Sequence, residues 1–332
     1  MSRVVVVSGA SAGVGRATAR AFAAGGCSVG LLGRNREALE NARREVDEAG
    51  GKGLVLEADV SDASAVEAAA ERAEAELGPI DAWINVAMAA LLSPLSETSA
   101  DDFRRVTEVT YLGFVHGTMA ALKRMRPRDA GVVVQVGSAL AYRSIPLQAS
   151  YCGAKFATRG FTDSVRVELR HDGSKVHITM VQLPGHNTPQ FDHVKTTLPC
   201  HPKPVPPIFQ PEVAADAVVW ASEHRRREVW VGAPTYKTIL GGFLAPALAD
   251  RYLARTNYED QQADVPIEPG RPDNLYAPLP GDPGSRGIFD DEAKARSLAW
   301  DLSRHRRVVG LCAAAAAAAA GVAIKAGCLR RN

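Results

Sequence analysis

The feature that most constrains this chain is a glycine-rich turn between an apolar strand and a helix. The four valines of residues 4–7 precede the turn S-G-A-S-A-G-V-G at residues 8–15, and a helical segment follows from Arg16. Glycines let the backbone turn tightly and approach a pyrophosphate closely, because they carry no Cβ. The first N–H groups of the helix then offer donors and a partial positive charge to an anion. A dinucleotide is therefore the first candidate ligand.

The same turn admits two other interpretations. Residues 9–13, G-A-S-A-G, match G-x-S-x-G, the nucleophile elbow of α/β-hydrolases. That elbow normally follows several strands, whereas this match falls on the first strand of the chain. The third interpretation is a strand–helix turn that needs glycine only for its geometry. A strand before the turn and a helix after it favour the dinucleotide.

Apolar strands alternate with helical segments as far as residue 232. The strands are continuously apolar and rich in valine, which indicates burial on both faces. This alternation predicts an α/β fold, a Rossmann-like doubly wound parallel sheet of about seven strands forming a single domain with a C-terminal extension. The predicted strands are 3–8, 28–33, 53–58, 80–85, 131–137, 176–183 and 228–232, and the predicted helices are 14–25, 35–49, 64–77, 101–126, 149–171 and 211–223.

Composition narrows the class of protein. The chain has 332 residues, 46% of them hydrophobic, and a formal net charge of +2. The near balance of charge argues against a nucleic-acid partner. The five cysteines are scattered, odd in number and without a C-x-x-C pair, which favours a reduced, cytoplasmic protein without structural disulfides. The N-terminus does not have the pattern of a signal peptide.

Three segments interrupt or follow the alternating pattern. Residues 184–211 carry eight prolines and follow a strand end, so they are expected to form a substrate loop of the domain 1–232. Residues 233–307 form an extension that is rich in Pro and Gly over 264–287. The apolar, alanine-rich segment 308–327 is flanked by basic residues and predicts a helix. A tail anchor, a helix lying on a membrane and a helix packed on the protein remain alternatives for it.

Tyr151 and Lys155 are the candidate acid–base pair. At a spacing of i and i+4 they share one face of the predicted helix 149–171. A neighbouring ammonium favours the phenolate and would lower the pKa of the tyrosine. Ser138 ends the strand 131–137, at the carboxyl edge of the sheet, and its hydroxyl can bind the carbonyl oxygen that Tyr151 protonates. For Ser138 alone, a turn or helix cap would be the simpler interpretation.

With these residues in place, the chain resembles the short-chain dehydrogenase/reductase family over about residues 1–232. The glycine motif T-G-x-x-x-G-x-G appears with Ser8 in place of threonine, and the N-N-A-G motif appears as N-V-A-M at residues 85–88. The resemblance implies that Ser138, Tyr151 and Lys155 are catalytic. It also implies a cofactor site made of Gly9, Ser11, Gly13, Val14, Gly15, Asp59, Val60, Asn85, Ala87, Tyr151, Lys155, Pro184, Gly185 and Thr188. Long helices of the family pair subunits, so a homodimer or homotetramer is expected, through 101–126 and 149–171.

Two residues depart from the family pattern. Met88 replaces the last glycine of N-N-A-G, where it can crowd or repack the cofactor side. Thr110 stands where the family has an active-site asparagine that helps to hold a water near the lysine. A threonine hydroxyl can bind such a water with a different geometry. Thr110 is therefore counted among the catalytic residues, and a slow or inactive enzyme remains an alternative.

The end of the second strand indicates which dinucleotide binds. An NAD site places a carboxylate there to accept from the ribose 2′-hydroxyl, but this chain has Gly33 followed by Arg34. A guanidinium suits a 2′-phosphate, which it can bind through two hydrogen bonds. The sequence predicts NADP(H), with Arg34 as a cofactor-binding residue. A solvated Arg34 is the alternative.

Taken together, these residues predict an NADP(H)-dependent oxidoreductase that interconverts an alcohol and a ketone or aldehyde. The loop residues Phe191, Leu198, Ile208 and Phe209 favour an apolar small-molecule substrate. No metal is expected, because the histidines and the cysteine of 186–224 fit no zinc spacing and read as solvated loop residues. A catalytically weak NADP-binding module is the alternative function.

Overall fold

Valine-rich strands form a parallel sheet that is buried on both faces, as their continuous apolarity predicts. The computed structural model describes residues 2–268 and 270–306. Within these residues seven strands form the main sheet, in the order β10-β7-β6-β4-β1-β2-β3, with every neighbouring pair parallel. The strands are β1 Val4–Ser8, β2 Ser28–Gly33, β3 Lys52–Glu57, β4 Ile80–Asn85, β6 Val132–Ser138, β7 His177–Leu183 and β10 Glu228–Trp230.

Helices cover both faces of the sheet, so the predicted doubly wound α/β fold is confirmed. The strands and helices outside the main sheet are α1 Gly13–Ala24, α2 Arg36–Glu48, α3 Ala63–Leu77, β5 Leu91–Leu92, α4 Ala100–Thr107, α5 Gly113–Arg128, α6 Ala149–His171, α7 Gln190–His193, β8 Lys195–Thr196, β9 Cys200–Pro202, α8 Pro211–Glu223, α9 Gly232–Leu244, α10 Pro246–Thr256, β11 Gln262–Pro266 and α11 Leu298–Arg304.

The predicted helix 101–126 is divided in the structure. Between α4 and α5, residues Glu108–Leu112 form a π-helical turn. The buried hydroxyl of Thr110 donates to the carbonyl of Ala89 at 2.7 Å and accepts from its N–H at 2.9 Å. These bonds fasten the turn to the loop after β4. A side chain that binds a distant backbone segment is invisible to helical periodicity, so the sequence predicts one continuous helix instead.

The two faces of the sheet carry separate cores. On one face Phe22 of α1, Leu39 of α2 and Val218 of α8 pack on the strands, together with Trp300 of α11. The other face carries side chains of α3, α5 and α6, among them Val66, Ala121 and Leu169, together with Leu275. The extension beyond residue 232 therefore contributes one buried side chain to each core.

The extension also pairs with the loop that follows β7. Strand β11 lies antiparallel to β9, and the backbone of Phe209 bridges to Lys294. Helices α9 and α10 stand beside the carboxyl edge of the main sheet, where their residues line the central cavity. In the described residues we find no helix long and apolar enough to cross a membrane. The predicted helix 308–327 lies outside the described residues.

Candidate active site

A cavity of about 1080 Å³ opens at the carboxyl ends of the parallel strands, where open α/β sheets bind their ligands. It receives residues from the loops after β1, β2, β3, β4, β6 and β7. The predicted site residues that line it are Gly9, Ser11, Gly13, Val14, Gly15, Arg34, Asp59, Val60, Ala87, Ser138, Tyr151, Lys155, Pro184, Gly185 and Thr188. Asn85 and Thr110 are buried beside it and do not line it.

The glycine-rich turn has a backbone that only glycine fits. Gly9 has a φ of +73°, and a Cβ there would lie 2.8 Å from the Cα of Ala87. A Cβ on Gly15 would collide with the carbonyl oxygen of Gly9. Ala12 stands at the N-cap of α1 and has no side-chain acceptor for the helix N–H groups. The turn and helix end thus have the shape that a pyrophosphate needs, and of the first helix N–H groups that of Gly13 donates to the carbonyl of Gly284 at 3.1 Å.

Ser8 joins this turn to the loop after β4. Its hydroxyl oxygen accepts from the N–H of Val86 at 3.1 Å and of Ala87 at 3.3 Å. Asn85 supports the same loop from the core, where its amide donates to Gln135 at 2.8 Å and its oxygen accepts from the indole of Trp83 at 2.8 Å. Asn85 therefore shapes the cofactor side through the backbone.

Tyr151, Lys155 and Ser138 meet in the cavity. Tyr151 and Lys155 project from one face of α6, with the Lys155 Nζ 5.6 Å from the Tyr151 ring centroid. Ser138 lines the same cavity, and its hydroxyl oxygen accepts from the N–H of Leu140 at 3.1 Å. Lys155 donates to the carbonyl of Val136 at 2.9 Å and lies 4.5 Å from the ring centroid of Phe114.

Burial dominates the protonation of this pair. It lowers the pKa of Lys155 to about 7, because an ammonium that is only 2% exposed loses its hydration. Burial also raises the pKa of Tyr151, and the neighbouring Ser138 side chain acts in the opposite direction. This direction is the reverse of the one expected from a neighbouring ammonium. The surrounding protein favours a neutral phenol, which is a proton donor over the neutral pH range.

Arg34 reaches the cavity beside the end of β2. Its guanidinium donates to the carbonyls of Asn274 at 2.6 Å and Tyr276 at 2.9 Å and lies 3.8 Å from the carboxylate of Asp59. Asp59 is held by Arg105, which reaches it from α4 at 2.5 Å. Sequence reasoning missed Arg105, since nothing in its neighbourhood along the chain connects α4 with the end of β3.

The two departures from the family pattern have different surroundings. The Thr110 hydroxyl forms its bonds with the backbone of Ala89, so it is engaged away from Lys155. Met88 lines the cavity and packs, with Tyr151, against a small apolar cluster that includes Leu147 and Leu198. Met88 therefore lies beside Tyr151 at the cavity wall.

The far half of the cavity is largely apolar. Phe191 lines it, as predicted, whereas Leu198, Ile208 and Phe209 are buried in packing clusters instead. Part of the remaining wall comes from α9 and α10 of the extension. Their lining residues are Ala233, Pro234, Lys237, Thr238, Gly241, Gly242, Leu248, Ala249, Tyr252 and Leu253.

His186 departs from the expectation of a solvated loop histidine. Its ring is 6% exposed and lines the cavity, with Nδ1 bonded to the carbonyl of Pro184 at 2.9 Å. Burial lowers its pKa to about 4, so the ring is neutral at physiological pH. Across the described part of the chain no group of three or more His, Cys, Asp or Glu side chains could hold a metal ion.

The sequence and fold of this chain are similar to those of known proteins. The family model for short chain dehydrogenases matches residues 3–198. An uncharacterized oxidoreductase, YxnA of Bacillus subtilis (strain 168), is 33% identical over 278 residues, 82% of this chain and 78% of the relative. The 3-dehydrosphinganine reductase of Danio rerio is 31% identical over 65% of this chain and 67% of its own.

Other matches cover less of the relative or concern solved structures. The dehydrogenase/reductase SDR family member 7B of Rattus norvegicus is 36% identical over 55% of this chain, and this chain spans 57% of that relative's length. An alcohol dehydrogenase from Thermococcus sibiricus, solved with 5-hydroxy-NADP, has a TM-score of 0.61, 26% identity and covers 70% of this chain and 96% of its own. By its family match, its relatives and its fold, the chain belongs to the short-chain dehydrogenase/reductase family of NAD(P)-dependent oxidoreductases.

Proposed function

We propose that this protein is an NADP(H)-dependent oxidoreductase that interconverts an alcohol and a ketone or aldehyde on an apolar substrate. The observation that carries the proposal is the meeting of Ser138, Tyr151 and Lys155 in the same cavity as the glycine-rich turn. When bound, the nicotinamide would supply or accept the hydride. Gly9, Gly13, Gly15 and Thr188 would hold the dinucleotide at the carboxyl edge of the sheet.

Tyr151 is the proposed proton donor. Because burial raises its pKa, the phenol keeps its proton through the neutral range and can deliver it to the oxygen of a reduced carbonyl. The Ser138 hydroxyl has its proton available to donate to the same oxygen and would orient it. A Lys155 with a pKa of about 7 can carry a positive charge near neutral pH and then favours the phenolate left after proton transfer.

The preference for NADP(H) rests on Arg34 and on the solved relatives. The Arg34 guanidinium lies at the cavity wall near Asp59, where a 2′-phosphate would be placed. The Thermococcus enzyme was solved with 5-hydroxy-NADP, and a metagenomic oxidoreductase that is 25% identical, with a TM-score of 0.57, was solved with NADP. Reduction would be the favoured direction in cells. An apolar substrate is supported by the lining of α9 and α10.

The long helices supply the proposed contact between subunits. Met119 of α5 and Phe156 and Val167 of α6 are 64%, 41% and 65% exposed, which is unusual for large apolar side chains on a helix. A homodimer or homotetramer would cover these side chains, and light scattering would measure the oligomeric state.

The proposed location is the cytoplasm, and membrane contact through 308–327 is the alternative. Fractionation of cells that express the protein with and without 308–332 would decide between the two locations.

The substitution Tyr151→Phe tests the proposal. It removes the proton donor and keeps the ring, so turnover of a panel of carbonyl compounds should fall by about 10²–10⁴-fold while NADPH still binds. Tyr142→Phe is the matched control, because the Tyr142 hydroxyl binds Glu228 at 2.6 Å, outside the cavity. Full activity of Tyr151→Phe would remove Tyr151 from its role.

The second candidate is a catalytically weak NADP-binding module. It is favoured by the Thr110 hydroxyl, which binds the Ala89 backbone and is engaged away from the lysine. Tight binding of NADPH by wild-type protein, without turnover of any compound in the panel, would support this candidate.

A further inference from the structure

A segment of the extension crosses the nucleotide half of the cavity. Residues 274–287, here called the strap, have the sequence N-L-Y-A-P-L-P-G-D-P-G-S-R-G. The glycine-rich turn and Arg34 form one wall of this half of the cavity. Strap residues also line this half of the cavity, namely Asn274, Pro278, Leu279, Pro280, Asp282 and Pro283. The strap therefore faces the space that the cofactor would occupy.

The first end of the strap is fixed beside β2 and α4. Arg34 donates to the carbonyls of Asn274 and Tyr276, and Arg105 donates to that of Leu275 at 3.1 Å. The Leu275 side chain is 1% exposed and belongs to the core beneath the sheet. The Tyr276 hydroxyl donates to a carboxylate oxygen of Asp102 at 2.9 Å.

The middle of the strap is held by the start of α2. The side-chain amide of Asn35 donates to the carbonyls of Leu279 at 2.8 Å and Gly281 at 3.1 Å. The N–H of Gly281 donates to Glu37 at 3.2 Å. Three prolines, at positions 278, 280 and 283, restrict the backbone between these contacts and reduce the entropy lost when the strap is ordered.

Arg16 holds the last part of the strap. Its side chain is 4% exposed and lies between two carboxylates, Glu45 of α2 at 2.8 Å and Asp282 of the strap at 3.0 Å. Next to this pair the N–H of Gly13 donates to the carbonyl of Gly284 at 3.1 Å. A buried guanidinium needs carboxylate partners to offset its lost hydration. Arg16 therefore depends on Asp282 for one of these partners, and this part of the strap depends on Arg16 for its attachment.

These contacts distinguish the strap from an ordinary surface loop. Its anchors are distributed along its length, and three of them, Gly13, Arg34 and Asn35, themselves line the cavity. Between the anchors the strap borders empty space instead of core. A dinucleotide lying on the glycine-rich turn would therefore contact the strap as well.

We propose that the strap closes over bound NADP(H) and that Arg16 is a positioning residue that fastens it through Asp282. The proposal rests on the proposed function, since it needs a dinucleotide in the cavity. The cofactor then leaves only when the strap detaches. Its release is slow compared with that from an open site, and the enzyme retains it between turnovers.

The dissociation rate of NADPH tests the proposal directly. NADPH is bound to the full chain and displaced by excess NADP⁺ in a stopped-flow instrument, with nucleotide fluorescence as the readout. Asp282→Ala removes the strap's partner of Arg16 and should raise the dissociation rate constant about tenfold, with a smaller change in the association rate. Tyr276→Phe removes the hydroxyl that binds Asp102 at the first end of the strap, and it should also raise the dissociation rate constant.

Asp291→Ala is the matched control, because Asp291 is an exposed carboxylate of the same extension that lies beyond the strap. It should release NADPH at the wild-type rate. Hydrogen exchange supplies a readout independent of kinetics: NADPH should slow the exchange of amides in 274–287 in wild-type protein and much less in Asp282→Ala.

The outcomes separate this proposal from the proposed function. If wild-type protein binds neither NADPH nor NADH, the proposed function itself fails. If NADPH binds but both strap variants release it at the wild-type rate, the strap proposal is overturned and the function stands. Unchanged exchange of the strap amides on NADPH binding would overturn it equally.

Discussion

At the scale of single residues, burial in this site sets the protonation of two side chains more than their residue type does. On an exposed helix Lys155 and Tyr151 would have ordinary pKa values, but here the surrounding protein takes water away from both side chains. Burial then brings the pKa of Lys155 down to about 7 and raises that of Tyr151. The motif alone predicted a phenol made acidic by its neighbour, and only the surroundings reversed that direction.

Lys155 makes stability depend on pH. Because its pKa falls from 10.5 in the unfolded chain to about 7, the folded protein binds fewer protons between these values and stability rises with pH across them. Below about pH 7 the folded protein bears the full free-energy cost of a charged, buried Lys155. Lys155→Met should therefore be more stable than wild type at pH 6, by up to the order of 4 kcal/mol.

Chemical unfolding at pH 6 and pH 10 measures this difference, which should shrink at the higher pH. Lys52→Met, at an exposed lysine, serves as the control. An equal effect of Lys155→Met at both values would contradict the assignment of a buried, easily deprotonated amine.

Arg34 can be tested by its effect on cofactor choice. If its guanidinium binds a 2′-phosphate, Arg34→Ala should lower kcat/KM for NADPH by about 10–100-fold and affect NADH much less. Arg36→Ala is the control, because Arg36 is 72% exposed and pairs with Glu57. If kcat/KM fell equally with NADPH and with NADH, Arg34 would hold the strap and would not bind a 2′-phosphate.

At the scale of elements, glycine has opposite effects on stability in the glycine-rich turn and in helix α6. Gly9 and Gly15 allow β1, α1 and the loop after β4 to approach closely, and any Cβ would separate them. Gly153 of α6 lies in open space, where glycine only weakens the helix. The same residue type is thus required in one element and costly in the other.

This contrast gives a prediction of opposite signs. Gly153→Ala should raise the free energy of unfolding by about 0.5–1 kcal/mol, because alanine loses less backbone entropy in a helix. Gly15→Ala should lower it and abolish NADPH binding. Thermal melting and fluorescence titration of both variants measure this. A destabilised Gly153→Ala would mean that this face of α6 is covered in the assembled protein.

At the scale of the whole molecule, the extension acts as part of the domain core. Trp300 of α11 is 2% exposed, packs among α8 side chains, and donates from its indole N–H to Asp216 at 2.6 Å. Leu275 is buried on the opposite face of the sheet. The extension therefore runs across the carboxyl edge of the sheet between two buried anchors, and the first of them, Leu275, belongs to the strap.

Removing one anchor should destabilise the entire fold. Trp300→Ala is expected to cost about 3–5 kcal/mol and to lower the midpoint of a single, cooperative unfolding transition. Leu302→Ala, at a position of the same helix that is 56% exposed, should change little. A separate early transition in Trp300→Ala would show that the extension unfolds independently of the sheet.

The sequence by itself determined the parallel sheet, the glycine-rich turn and the Tyr151–Lys155 pair. These follow from local causes: apolar runs, backbone freedom at glycine, and a spacing of four on one helix. It did not reveal Arg105 beside Asp59, the π-helical turn at Thr110, or the contacts that fasten the strap. Those depend on contacts between segments far apart along the chain, such as Arg16 with Asp282. Only packing brings such segments together, so tertiary structure alone decided how the strap is fastened beside the glycine-rich turn.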